Sequence, residues 1–386
     1  MKRQHYRILD VGLCLESDSE EFLRMFDRDY SLFATPMEDG GTRMHVSLTL
    51  EKEGESPSLR IKGSDFSLEG HHHPILCAYQ MINKALMEEV RDFVVVHAGV
   101  VARGNDALAI CGPPGAGKTT LVLALLESGF SLLSDDFCPI HKETGLVHPF
   151  LRSLWVSDRS SYTAGGFSGP SQSPFRSGKF PFKPEVLRIP VAQEPRRLKT
   201  LICLDPGDDD ASWSELRIKL KKEHEDEFLS ALQQTGEVVI GRTNAELCNW
   251  SIRYRKKQGP AERIRALLTR YGHCVWSVIR SETVHPDFGA EPVLTPIPVY
   301  EAAFFAMKEL KQELSYGWQD QNPPVPGNIE AGSEPFELKP SMYFMQLIAL
   351  LGEAFCYRLT PGRFEPLRNL AMDAAGYEPS PSCSME

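Results

Sequence analysis

No stretch of this sequence stays apolar long enough to cross a membrane: its longest apolar runs, such as 121–126, fall far short of the roughly 20 residues a spanning helix needs. A membrane partner is therefore not expected. No C-x-x-C pair occurs among the nine cysteines (14, 77, 111, 138, 203, 248, 274, 356 and 383), and an odd, scattered set argues against both a disulfide framework and a zinc site. They read as reduced thiols packed as small hydrophobes. A basic surplus is also absent. With 42 Lys and Arg against 52 Asp and Glu, the formal net charge is −10, which offers no general attraction to a phosphate backbone, so nucleic acid is not an expected partner. Internal repeats are lacking. The opening residues MKRQHYRILDVGL carry positive charge but neither a sustained apolar core nor a small-residue cleavage site, so they do not read as a secretory signal, and a cytoplasmic location is expected.

What is present is the composition of an ordinary globular protein. A chain of 386 residues with 42% hydrophobic side chains buries a substantial core and divides into two or three lobes. Met44, Val46, Leu48 and Leu50 alternate with polar neighbours as a half-buried strand does, a short helix is expected over 20–33, and residues 1–75 read as a small α+β lobe. Ile75, Tyr79, Ile82, Leu86 and Val90 recur at helical spacing behind Pro74, a residue favoured in a first helical turn. From Phe93 the pattern changes. FVVVHAGVVA is a β-branched run, 103–106 is a turn, and ALAIC is a second strand. Residues 119–128 are apolar nearly all round, as in a helix buried against a sheet, with Gly129 at its C-terminal cap, and 130–134 is a short strand ending on Asp135 and Asp136. Further on, 198–204 reads as a buried strand, 225–234, 261–271, 299–314 and 342–351 as helices, and 354–359 as a strand. The Gly-, Ser- and Pro-rich segment 160–179 reads either as a mobile active-site loop or as a plain linker, and 318–340 as an exposed insertion.

The strongest chemical signal is Gly112-Pro113-Pro114-Gly115-Ala116-Gly117-Lys118-Thr119, followed by Thr120. It matches G-x-x-x-x-G-K-[ST], follows an expected strand and opens an expected helix. In such a loop the glycines let backbone N–H groups face a phosphate chain, the helix N-terminus adds partial positive charge, Lys118 reaches the terminal phosphates, and Thr119 ligates Mg²⁺. Asp135 and Asp136 come seventeen and eighteen residues after Lys118, on the strand that follows the helix. One carboxylate beside the phosphates can hold the metal, here Asp136, and the other, Asp135, can accept the proton of an attacking hydroxyl. The plain alternative is an Asp pair in a surface turn.

The segment HAGVVARGNDALAICGPPGAGKTTLVLALLESGFSLLSDD resembles the catalytic core of the HPr kinase/phosphorylase superfamily. The order is the same: a strand with a His-Ala element at His97, a hairpin, the glycine loop, a helix ending at Gly, and a strand ending in Asp135 and Asp136. The match covers roughly forty residues, and the N-terminal lobe and the segment CYRLTPGRFEPLRNL fit the looser group of HPr-kinase-related proteins. The resemblance implies an α/β class (α+β over the whole chain), with a PEP-carboxykinase/HPr-kinase-like P-loop domain and mixed sheet over 76–375, the lobe at 1–75 and a loose tail at 376–386. It further implies an ATP- and Mg²⁺-dependent transfer of phosphate to a hydroxyl, with a serine of a protein or peptide as acceptor. The bifunctional enzyme's downstream signature segment has no counterpart, so neither a phosphorylase activity nor its hexameric assembly is implied.

His97 is either a hydrogen-bonded core histidine or, as the resemblance implies, a group that senses or orients the transferred phosphate. His71, His72 and His73 read as an exposed loop. Lys179, Lys183, Arg188, Arg196 and Arg197 follow the Gly/Ser/Pro-rich segment, and one of them would supply the further cation that phosphoryl transfer uses; a solvated basic face is the competing reading. A small-molecule kinase and a nucleotide-dependent switch without transferase activity remain open as alternatives, and so does a homo-oligomer.

Overall fold

In the computed structural model the described residues are 1–36, 42–50, 56–69, 74–113, 115–157, 179–184, 189–205, 213–220, 222–234, 238–244, 249–255, 260–271, 275–281, 289–310 and 340–376. The histidines 71–73, Pro114, Arg188, residues 160–178, the insertion 318–339 and the tail beyond 376 lie outside them.

The N-terminal sheet begins with a hairpin of β1 (Lys2–Ile8) and β2 (Val11–Ser17). Helix α1 (Glu20–Tyr30) is capped by Ser19, whose hydroxyl accepts from Phe22 N–H. It ends three residues earlier than the 20–33 expectation, because Ser31–Phe33 tightens into a 3₁₀ turn. Strand β3 (Thr42–Thr49) then joins β2 in parallel, and β4 (Ser58–Ile61) and β5 (Ser64–Ser67) complete a five-stranded sheet in the order β1-β2-β3-β4-β5. Met44, Val46 and Leu48 are buried on β3, as period-2 patterning requires. Helix α2 (Pro74–Glu89) starts on its proline and sends Ala78, Ile82 and Leu86 into the same core as Phe22, Phe26 and Tyr30 of α1. That core runs on to Phe93, Val95, Phe137 and Phe150, so the first sheet and its helices are packed against the strands that follow.

Next come β6 (Phe93–Val96), β7 (Ala98–Arg103), β8 (Asp106–Cys111), α3 (Lys118–Glu127), β9 (Ser131–Ser134), β10 (Cys138–His141) and β11 (Leu146–Val147). The β-branched run expected as one strand is two, interrupted at His97. A ribbon of β12 (Leu154–Ser157) and β13 (Lys179–Phe182) precedes β14 (Arg196–Leu204). Beyond it β15 (Trp213–Leu220), α4 (Glu225–Gln233), β16 (Val238–Asn244), β17 (Asn249–Arg255), α5 (Pro260–Arg270) and β18 (Val275–Ser281) build a separate four-stranded antiparallel sheet, ordered β16-β17-β15-β18, with both helices on its core. The sequence predicts only the two helices there, over 225–234 and 261–271. The chain closes with β19 (Val293–Pro296), α6 (Val299–Lys308), α7 (Pro340–Leu351), β20 (Phe355–Thr360) and α8 (Phe364–Ala374). Helix α6 stops at Lys308 rather than at 314, because Leu310 pairs with Val96 and Glu309 O accepts from His97 N–H at 2.6 Å.

The main sheet has nine strands, ordered β6-β10-β11-β14-β8-β7-β9, with β20 on β14 and β19 on β20. It is mixed: β14 lies parallel to β8 and β20, whereas β7 is antiparallel to β8 and β9. Alternate residues serve opposite faces. Val101, Leu108, Ile110, Ile202 and Leu204 meet α3 and α8 on one side, while Val100, Ala109, Cys111, Leu201 and Cys203 meet α6 and α7 on the other. Helix α3 is apolar all round because it lies between the sheet and α8, with Leu121, Val122, Leu125 and Leu126 all buried. Among the described residues no helix is long and apolar enough to cross a membrane, which says nothing of a β-barrel.

The seat of α3 is set by Gly99 on β7, where an added Cβ would lie 2.5 Å from Val122 Cγ2. Gly99→Ala is expected to destabilise the fold by about 1–3 kcal/mol through overpacking. Adding Val122→Ala should recover part of that loss in a denaturant-unfolding double-mutant cycle, and a purely additive cycle would count against the contact.

Candidate functional site

The loop between β8 and α3 owes its course to two glycines. Gly112 takes a positive φ of 151°, and a Cβ there would stand 2.7 Å from Leu204 O, so only glycine lets the chain leave β8 against β14. Gly117, with φ 101°, is the left-handed residue that starts α3. Between them Ala116 N–H donates to Pro113 O at 3.2 Å, Ala116 is buried and Gly115 exposed. The loop thus opens directly onto the first turn of α3, whose N–H groups lack acceptors within the helix. Lys118 heads that turn. It is 8% exposed and curls back over the loop, Nζ donating to Gly112 O at 2.5 Å and to Pro113 O at 3.3 Å. Thr119 and Thr120 follow on the same turn, each half-buried.

The sheet register brings the other candidates to the same edge. Cys111, the last residue of β8, faces Ala98, and Val100 faces Ser134, so the end of β8, the start of β7 and the end of β9 lie side by side. At about 4.8 Å per strand, the loop and the aspartates stand roughly 10 Å apart, two strand spacings. The interruption at His97 coincides with a second one opposite, where 135–137 separate β9 from β10; Phe137 N–H donates to Ser134 Oγ at 3.2 Å and turns the chain there. The two gaps interlock. His97 Nδ1 is 2.8 Å from Asp136 O and 3.8 Å from Asp136 Oδ1. A carbonyl only accepts, so Nδ1 carries the hydrogen and a neutral ring bears its lone pair on Nε2. The two aspartates meet different surroundings: Asp135 is buried at 7% exposure, whereas the side chain of Asp136 is 39% exposed on the His97 side. Their backbone stays tight against β7, with Asp135 O 3.4 Å from where a Cβ on Gly99 would be.

Next to Asp136 lies a residue that motif reading passed over. Arg152 sits on the segment that follows Phe150, which bridges to Ser134, and its guanidinium lies within the field of Asp136. Its side chain is 9% exposed, with Cζ 5.3 Å from the Phe137 ring centre and 4.8 Å from that of Tyr30. It donates to Tyr79 Oη, which itself donates to Asp29 Oδ2, and lies 3.5 Å from that same oxygen. Burial works against its charge, but Tyr30, Tyr79, Asp29 and Asp136 around it more than reverse the effect and leave its pKa raised, so it is a permanent cation. Burial in turn pushes the Tyr30 phenol up to about 12. No glycine pattern or paired acid marks Arg152 in PFLRSLW; the one local signal is a lone arginine in an otherwise apolar stretch.

The basic residues singled out downstream separate. Lys183 reaches the Arg152 neighbourhood, where Nζ donates to Ser31 Oγ at 3.1 Å. Arg196 and Arg197 start β14, and Arg197 pairs with Asp106 at 3.1 Å. In the shared register Arg197 aligns with Asp106 and Cys203 with Cys111, which puts these arginines roughly 17 Å down the sheet from the loop, at about 3.3 Å per residue. Neither reaches it. The side chain of Lys179 and all of Arg188 and Pro114 fall outside the described residues. Oxygen donors such as those of Thr119 and Asp136 suit a hard cation such as Mg²⁺, which keeps waters and takes few protein ligands; no cluster of three or more His, Cys, Asp or Glu occurs among the described residues.

Because Asp29 is fully buried beside it, Arg152→Met is expected to cost about 3–5 kcal/mol of stability, the penalty of stranding a buried charge. Chemical denaturation of Arg152→Met with and without Asp29→Asn checks this. The double variant should be more stable than Arg152→Met alone, and a further loss would contradict the pairing.

No family model matches the chain, and no curated protein matches it. Among solved structures, the Hpr(Ser) kinase/phosphatase from Coxiella burnetii is similar over 46% of this chain and 96% of its own, at 16% identity and a TM-score of 0.20, a likeness too faint for anything to rest on it.

Proposed function

We propose that the chain is an ATP- and Mg²⁺-dependent kinase that transfers the γ-phosphoryl group to a hydroxyl, with a serine of a protein or peptide as the favoured acceptor. The observation that carries this reading is the edge at which β8 and β9 end and β7 begins. It sets a glycine loop and helix N-terminus beside a buried and a half-exposed aspartate, the parts that phosphoryl transfer needs. Lys118, already folded over the loop, would move its ammonium from Gly112 O onto the terminal phosphates, and the backbone N–H groups of 115–119 would hold the chain in line. Thr119 and Asp136 would hold Mg²⁺, which when bound neutralises charge on the phosphates. Asp135, withdrawn from water, takes the proton of the incoming hydroxyl as its oxygen bonds to the γ-phosphorus and the bond to the β,γ-bridging oxygen breaks. His97 acts at one remove: its Nδ1–H fixes the Asp136 carbonyl, and with it the turn carrying both aspartates.

Turnover of labelled ATP by the purified full chain, with casein-type and serine-rich peptide acceptors, tests the reading. Lys118→Ala should abolish turnover with little change in thermal stability. Asp135→Asn should keep Mg²⁺–nucleotide binding but lose roughly 10²- to 10⁴-fold in rate, the usual weight of a general base. Asp136→Asn should instead weaken metal-dependent nucleotide binding. Wild-type turnover that Lys118→Ala leaves intact would sink the proposal, and equal loss of binding in both aspartate variants would show the roles to be divided wrongly.

A further inference from the structure

Near the candidate site, the end of α1, the turn after it, residues 151–153 and the pair Lys183 and Pro184 line a half-open cavity of about 90 Å³. Its polar wall is made by Arg28, Asp29, Ser31, Arg152, Ser153 and Lys183. Cations outnumber carboxylates in that wall, and its one acid is already engaged. Asp29 Oδ2 accepts from Tyr79 and lies 3.5 Å from Arg152, while its Oδ1 is 3.7 Å from Arg28 Nε. Asp136, whose field also reaches Arg152, does not line the cavity. Arg152 Nε is buried without a hydrogen-bond acceptor, and Lys183 Nζ donates to a neutral hydroxyl, that of Ser31.

A chain of net charge −10 therefore gathers three cations around one half-open cavity, with the Arg152 guanidinium at its buried end. The Arg152 Nε–H, the Arg28 guanidinium, the Lys183 ammonium and the Ser31 hydroxyl match the oxygens of a tetrahedral oxyanion better than a single planar carboxylate, which Asp29 already supplies. The volume sets the scale: it is far below the roughly 300–1,000 Å³ of pockets that hold whole drug-sized ligands, yet it admits a phosphate-sized group.

We propose that this cavity is a binding site for a phosphate-class oxyanion, supplied as free inorganic phosphate or as the phosphoryl group of a phosphomonoester. The site does not depend on the phosphotransfer reading, since none of its lining residues belongs to the 112–119 loop or the aspartate pair. Isothermal titration calorimetry of the full chain, carried out in a Lys118→Ala background so that the glycine loop is weakened as a competing phosphate site, tests it with inorganic phosphate and, separately, with O-phospho-L-serine. One-to-one binding of at least one of them is expected, weakened about tenfold or more by Lys183→Met and by Arg28→Gln, each of which deletes a charge-assisted hydrogen-bond donor. Lys183→Arg, which keeps the charge, should retain binding and separates loss of the donor from loss of fold. Equal affinity for the two probes assigns the site to free phosphate, and tighter binding of O-phospho-L-serine assigns it to a phosphomonoester. Absence of binding by both probes, or binding that survives Lys183→Met and Arg28→Gln unchanged, overturns the proposal. Arg152 is left intact throughout because its removal is expected to destabilise the fold, which would blur a binding measurement. A wild-type chain without ATP turnover would remove the kinase reading and leave this binding as it is.

Discussion

The candidate site hangs on a paired interruption in one antiparallel ladder. Residues 93–103 and 131–141 run beside each other, and pairing fails at the same level in both, at His97 on one side and at 135–137 on the other. An unbroken ladder would have consumed those backbone groups in sheet hydrogen bonds and aimed the side chains alternately into the two cores. The gap frees Asp136 O to take the His97 Nδ1–H, while His97 N–H reaches Glu309 O beside the Val96–Leu310 bridge, so the break is closed by one side-chain bond and one bond to the chain after α6. It also explains the contrast between neighbours, Asp135 drawn inside and Asp136 left beside the imidazole. The glycine loop one strand away depends on the same local order, since Cys111 faces Ala98 directly next to that break.

How much of this was legible in the sequence follows the range of the forces involved. The turn at 103–106, the start of α2 on Pro74 and the strand–glycine–helix order at 106–127 are written locally, in φ-restricted residues and in period, and they could be read directly. The apolar run at 93–102 could not be split in advance, because β-branched residues favour a strand equally on either side of His97, and what divides them is a partner 39 residues away. The expected extension of α6 to 314 failed for the same reason: the periodicity continues, but Leu310 is claimed by Val96. The four-stranded sheet of β15 to β18 is written in period 2, with Leu216, Ile218 and Leu220 on β15 and Trp250, Ile252 and Tyr254 on β17 alternating with polar neighbours, but its order and register rest on cross-strand partners rather than on turns.

Arg152 is the clearest case of a residue that sequence rules cannot rank. Nothing about an isolated arginine says whether it is solvated or held between Tyr30 and Phe137 and tied to Tyr79 and Asp29, elements that come from the first eighty residues. Such a buried cation adds little net stability compared with an apolar substitute, and it is specific instead: only one docking of the N-terminal sheet lets its tyrosines and aspartate meet that guanidinium. The aromatic cluster from Tyr6 through Phe26 to Phe150 supplies the apolar part of the same contact.

The parallel strands at the heart of the main sheet carry a consequence for how the chain comes together in time. β8, β14 and β20 are neighbours in space but begin at residues 106, 196 and 355, so each pairing closes a long loop before any ladder bond is gained. Gly112 leaves β8 against Leu204, a residue synthesised some ninety positions later, and the loop cannot take its final course until β14 has arrived. During synthesis the first five strands and two helices can settle as a unit on the emerging chain, while the glycine loop waits until β14, just past the middle of the chain, has been made. A newly made chain should therefore pass through an interval in which its N-terminal sheet is formed and its glycine loop has not yet taken its course.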